Sequence, residues 1–171
     1  MLFKGPAGFA RLMNIFLNII LGIGIACILM GIMTKQTGMQ ILTPFNVFCS
    51  LVVSFCVGYF VGDIYPGLIW GAKLAQKIHL GKAGTYVVMC VVMGLGMGLF
   101  IGLGSGWISN ITNNPDGIAA VLGFLKNFLW IIMLSAAVLA TIFIGPFAKI
   151  SEKIAGCNPL FGPRPEGAPQ E

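Results

Sequence analysis

Four apolar stretches, each long enough to cross a bilayer, constrain this chain more than any other feature. A spanning helix needs about 20 residues at 1.5 Å rise each. The first stretch is Leu12–Met33 and carries no charge. The second lies within Ile41–Gly71, the third is Tyr86–Ile108, and the fourth lies within Ile118–Phe147. The second and fourth windows exceed one span, so part of each is expected to lie along the membrane surface. Composition closes off the soluble alternative. Of 171 residues, 57% are apolar and 9% charged, against roughly 25% charged in an ordinary soluble domain. So few charges cannot cover a water-facing surface, and the lipid bilayer is the expected solvent. The 24 glycines suit packed membrane helices.

The basic residues set an orientation. Lys4 and Arg11 precede the first stretch, Lys73, Lys77 and Lys82 lie between the second and third, and Lys149, Lys153 and Arg164 follow the fourth. Only Lys35 and Lys126 fall on the other side. By the positive-inside rule both termini are cytoplasmic, and an even number of spans agrees. The expected fold is an all-α integral membrane protein with four transmembrane helices, N-in and C-in, in a bacterial cytoplasmic membrane. The first apolar run is too long for a signal peptide and no A-x-A-like site follows it, so it is read as retained. Cys27, Cys49, Cys56 and Cys90 lie in apolar segments and Cys157 in the tail. They are read as small packing residues rather than as a disulfide or metal framework.

An internal duplication is visible at an offset of 76 residues. Ala72-Lys-Leu-Ala-Gln-Lys-Ile78 recurs as Ala148-Lys-Ile-Ser-Glu-Lys-Ile154. Gly5, Ala7 and Gly8 fall on Gly81, Ala83 and Gly84, and Met13, Gly22, Ile25 and Phe48 on Met89, Gly98, Ile101 and Phe124. Each unit is a helical hairpin followed by a short basic amphipathic segment. Residues 1–78 form the first unit, 79–155 the second, and 156–171 a proline- and glycine-rich tail expected to be disordered. Two spans per unit give both copies one orientation, hence parallel repeats about an axis along the membrane normal.

The hairpin ending in Phe143-Ile-Gly-Pro-Phe-Ala-Lys149 resembles small bacterial membrane proteins of the domain of unknown function 2798, whose two-helix units close with a similar pattern. In the first unit Gly62-Asp63-Ile64-Tyr65-Pro66 stands in place of the compact Gly-Pro. The resemblance implies architecture and no activity.

Spacing within the stretches singles out further residues. Gly94, Gly98, Gly102 and Gly106 recur every fourth residue and leave one helix face bare for a neighbouring backbone. Ser50, Ser54, Gly58 and Gly62 form a comparable stripe. Both are read as helix-packing faces, whose partner lies inside the bundle or in a second copy. Gly94-Leu-Gly96 and Gly102-Leu-Gly104 lack the strand–turn–helix context of a nucleotide loop. Asn14 and Asn18 share a face of the first helix. With Asp63, the acid nearest the hydrocarbon, they form a candidate polar pathway. Asp63 is either an interfacial carboxylate paired with a lysine or a proton- or cation-responsive site. Hydropathy ends the second helix near Gly62. The repeat instead carries it on to Lys73, about 15 Å beyond Asp63 if unbroken, with Pro66 able to kink it.

The remaining polar residues have plainer readings. Asn46 and Asn127 lie near the outer helix ends, Lys126 snorkels outward, and Trp107 and Trp130 fit an outer aromatic belt with Trp70 on the inner side. Asn113–Gly117 reads as a turn, and Asn110–Thr112, though matching a glycosylation acceptor, is discounted beside the membrane of a bacterial chain. His79 stands without companion ligands, and Gly71–Lys82 reads as a helix on an anionic inner leaflet. No metal, cofactor, catalytic group or nucleic-acid partner is expected. Partners are the bilayer and a second copy or a larger membrane protein. The leading expectation is a non-enzymatic structural or accessory bundle; the alternative is a small transporter or channel acting as a homo-oligomer through Asp63.

Overall fold

The computed structural model describes residues 3–111 and 115–159. The Asn110–Thr112 acceptor, the Asn113–Gly117 turn, Arg164 and most of the 156–171 tail lie partly or wholly outside them. Among the described residues there are five helices and no strand: α1 (Gly5–Thr37), α2 (Pro44–Ile64), α3 (Gly67–Lys77), α4 (Lys82–Ile111) and α5 (Ile118–Ala155). Four of these, all but α3, are long and apolar enough to cross a membrane. Their ends follow local chemistry. Pro44 occupies the first turn of α2, where a missing N–H costs nothing, and Thr43 caps it by accepting the Asn46 N–H at 3.2 Å. α1 and α5 stop at Gly38 and Gly156, both in the left-handed region at φ 71° and 79°.

The four long helices close into a ring in the order α1, α2, α4, α5, with α1 and α4 across one diagonal and α2 and α5 across the other. Every neighbouring pair runs antiparallel. On α1 and α2, Gly22 meets Ser54 and Gly62 meets Asn14; on α4 and α5, Gly94 meets Ala137 and Gly106 meets Phe124. One end of the bundle therefore gathers Lys4, Arg11, Lys73, Lys77, Lys82, Lys149 and Lys153, and the other holds Lys35 and Lys126. These are called the basic end and the far end below. The centre is filled by Leu17, Leu21, Met97, Ile101, Ile132 and Ile144, all at most 2% exposed.

The α4 glycines face α5, inside the bundle. A Cβ on Gly94 would strike the Ala137 backbone, and one on Gly98 would lie 2.8 Å from Met133 Cα. Gly102 and Gly106 continue the same face against Leu129 and Phe124. The α2 stripe faces α1, with Ser54 against Gly22, Gly58 against Asn18 and Gly62 against Asn14.

Two surface-helix expectations are corrected. The end of the fourth window does not turn aside, because α5 runs unbroken past Pro146 to Ala155. The segment after the second window does not lie apart on a leaflet. α3 runs alongside α4, Gly67 approaching Met93 Cα and Gly71 approaching Met89 Cα, with Gly67, Gly71 and Ala75 buried. Its small residues take it into the bundle, where an amphipathic reading of its lysines had placed it on the surface.

The two prolines act differently because of the residue before each. Tyr65 carries a Cβ that disfavours the helical region ahead of Pro66, and it adopts an extended ψ of 103°. Gly145 has no such clash, and the Tyr86 hydroxyl bridges the ladder there. It donates to the Thr141 carbonyl at 2.9 Å and accepts from the Gly145 N–H at 3.1 Å.

Replacing Gly94 by Leu is expected to force α4 and α5 apart and cost about 1–3 kcal/mol or prevent folding. Gly123→Leu, where a side chain meets open space, is expected to be tolerated. Thermal unfolding in detergent, followed by helical circular dichroism, separates the two.

Candidate functional site

The second apolar window is broken into two helices. α2 ends at Ile64, Tyr65 and Pro66 leave the helical path, and α3 begins at Gly67. Pro66 has no N–H, and its ring would clash with the carbonyl four residues back, so the helix cannot pass through a Tyr–Pro step unaltered. The Tyr65 N–H still reaches the Val61 carbonyl at 2.7 Å, and α3 opens with the Trp70 N–H on the Pro66 carbonyl at 3.0 Å.

Beside the break, three polar side chains form a directed chain. Asn18 Nδ2 donates to Asn14 Oδ1 at 2.6 Å and to the Asn14 carbonyl at 2.8 Å. Asn14 Nδ2 donates in turn to Asp63 Oδ1 at 3.2 Å and to the Tyr59 carbonyl at 3.0 Å. Asn18 is 0% and Asn14 6% exposed, whereas Asp63 stands exposed on the flank of α2. The carboxylate is thus anchored from inside the bundle and open on its outer side. Asn18 Oδ1 at the other end is buried and accepts no hydrogen bond. It points at Gly58, whose missing side chain makes the room, as Gly62 does for the Asn14 amide. The α2 stripe therefore serves both as a packing face and as the socket for two amides.

The expected pathway residues Asp63, Asn14 and Asn18 come together. Asn46 and Asn127 do not join them. Asn46 donates through Nδ2 to the Ile41 carbonyl at 2.8 Å near the start of α2, and Asn127 is exposed on α5. Measured along α1, Asn14 lies about 4.5 Å beyond Arg11; measured along α3, the break lies about 16 Å from Lys77.

Tyr65 was not singled out by sequence. Its hydroxyl donates to the Val92 carbonyl at 2.9 Å, and its ring packs where a Cβ on Gly96 would be. Trp70 packs edge-on against the ring, with centroids 5.3 Å apart. The Tyr–Pro pair inside an apolar window was the available signal. A cavity of about 190 Å³ opens here, walled by Phe9, Met13, Asn14, Tyr65, Leu68 and Met93 among others. Asn14 therefore touches both the cavity and Asp63.

Among the described residues no three histidine, cysteine, aspartate or glutamate side chains converge as metal ligands. All five cysteines are free thiols, Cys90 fully buried and Cys27, Cys49 and Cys56 exposed on the bundle. Comparison with family models, with curated proteins and with solved structures found no match to this chain.

Because Asn14 serves both neighbours, its loss should not be additive with theirs. Asn14→Leu is expected to cost about 1–3 kcal/mol by removing one of the two acceptors of the Asn18 amide and the donor to Tyr59 and Asp63. The Asn14→Leu/Asn18→Leu double variant should lose less than the sum of the two single changes. Equilibrium unfolding of the three variants in detergent would measure that coupling; strict additivity would mean the amides do not act as a chain.

Proposed function

We propose that this chain is a non-enzymatic multi-pass protein of the bacterial cytoplasmic membrane, a small transporter or channel that works as a homo-oligomer. In this reading Asp63 is its proton- or cation-responsive group. The observation that carries it is the helix break within the second apolar window, with a buried amide chain ending on a carboxylate beside it. Interrupted helices of this kind expose backbone groups and hold coupling ions in many secondary transporters. An ionisable group inside a span is costly unless it is used. The amide chain ends on the Asp63 carboxylate, to which Asn14 donates. Leu21, Met97 and Ile132 fill the centre of one copy, so a conducting route calls for a second copy or a moving helix.

Two further elements belong to the proposal. The clustering of basic residues at one end supports an N-in, C-in topology. The buried residues support the duplication: Met13, Leu17, Leu21 and Ile25 of α1 fall on Met89, Met93, Met97 and Ile101 of α4 at the 76-residue offset, and all eight are buried. The second helices follow a different register. Gly22 meets Ser54 where Gly98 meets Met133, and Asn18 meets Gly58 where Gly94 meets Ala137, an offset of 79. At Ala75 and Ser151, both fully buried, it is 76 again. The first unit thus carries three extra residues between α2 and α3, at the Tyr65–Pro66 break. On this register Phe45, rather than Phe48, corresponds to Phe124.

The accessory reading keeps one observation in its favour. α2 buries only Ser54 and Gly58, and presents Phe45, Phe48, Phe60 and Ile64 outward, each more than 60% exposed. Lipid or a larger membrane protein would cover that flank.

The two readings part on flux. In vesicles of reconstituted protein, Asp63→Asn is expected to abolish proton or cation flux while leaving the helical content and elution volume unchanged. Wild-type protein that carries no such flux, or a variant that carries it equally, would remove Asp63 from any transport role and leave the accessory bundle.

A further inference from the structure

The far end of the bundle holds a larger cavity, unrelated to Asp63. It measures about 500 Å³, within the range of small-molecule sites. All four long helices contribute to it. One wall is polar and comes from α2 and α4: Asn46, Ser50, Ser105 and Asn110. The opposite wall is apolar, with Met30 and Met33 from α1 and Phe124 from α5. The cavity exists because the close packing of α1 on α2 stops short of this end. Gly22 meets Ser54 and Gly58 meets Asn18, but the next α2 position outward, Ser50, lines open space.

Two properties of the lining restrict what could occupy it. Among the described residues no charged side chain lines the cavity, so an ion entering it would lose its hydration without a counter-charge. The Ser105 Oγ is buried and has no hydrogen-bond partner, and a buried hydroxyl left unpaired costs free energy that a partner would recover. We infer that the far-end cavity is a binding site for a small uncharged amphiphile, whose hydrogen-bonding head meets Ser50 and the Ser105 hydroxyl once that side chain turns into the cavity, while its apolar body lies against Met30, Met33 and Phe124. The site stands whether or not Asp63 responds to ions. A water-soluble molecule and one dissolved in the adjoining leaflet would share this chemistry.

Cys49 lines the same cavity and is exposed, which supplies a direct readout. In full-length protein in nanodiscs, with Cys27, Cys56 and Cys157 changed to Ser and Cys90 to Ala, the rate of Cys49 alkylation by a hydrophilic maleimide is measured. Butyramide serves as the aqueous probe and decanamide as the membrane-dissolved one. At saturating probe, labelling is expected to slow severalfold. Ser105→Ala should weaken that protection about fivefold in probe concentration, without altering the unprotected rate. Ser50→Ala provides the same comparison should the first variant fail to fold. Protection by butyramide assigns entry from water, and protection by decanamide alone assigns entry from the leaflet. No protection by either probe, or protection untouched by both serine changes, would overturn the site.

Discussion

A helix broken among apolar neighbours must find new partners for the backbone groups it releases, and the bundle is arranged around that requirement. Water is scarce in such surroundings, so each unpaired carbonyl or N–H carries a cost of several kcal/mol. Around Tyr65 and Pro66 part of that demand is met locally. The Tyr65 N–H stays on α2, the Trp70 N–H opens α3, and Tyr65 ties the break to α4 through Val92. The Asn14 amide takes the Tyr59 carbonyl one turn before the break and the Asp63 carboxylate beside it. The same few side chains thus flank the interruption, tie it to α1 and α4, and create the polar site.

That arrangement depends on close backbone approach elsewhere. Apolar side chains gain little by leaving lipid for one another, so helices in a bilayer associate through packing and polar contacts. Gly94 and Gly98 let α4 approach α5, and Gly58 and Gly62 leave space on α2 for two amides of α1. The two faces look alike in sequence and do different work. One seats backbone against backbone, the other seats polar side chains in sockets.

Much of this was legible before any coordinates. The long apolar windows located the four helices long enough to cross a membrane, and the four-residue spacing of Asn14 and Asn18 placed them on one face. Asp63 stood out by charge alone. What the sequence did not disclose had a physical reason. Whether Pro66 bends or breaks the chain depends on the Cβ of Tyr65 and on a landing place for its ring, and that place is created by Gly96 on another helix. The lysines of residues 71–82 suggested an interfacial helix, while Gly67, Gly71 and Ala75, which take α3 against α4, read as ordinary small residues. The far-end cavity had no signature at all, since it arises where close packing ends rather than from any motif.

The Asn18–Asn14–Asp63 chain has a direction, because every amide in it gives its hydrogens toward the carboxylate. Turning Asn14 would bring its oxygen against the Tyr59 carbonyl and the Asp63 carboxylate, and turning Asn18 would bring its oxygen against the Asn14 carbonyl. Backbone oxygens thus fix the sense of the row, and the hydrogens at its end are offered to the one exposed carboxylate on α2.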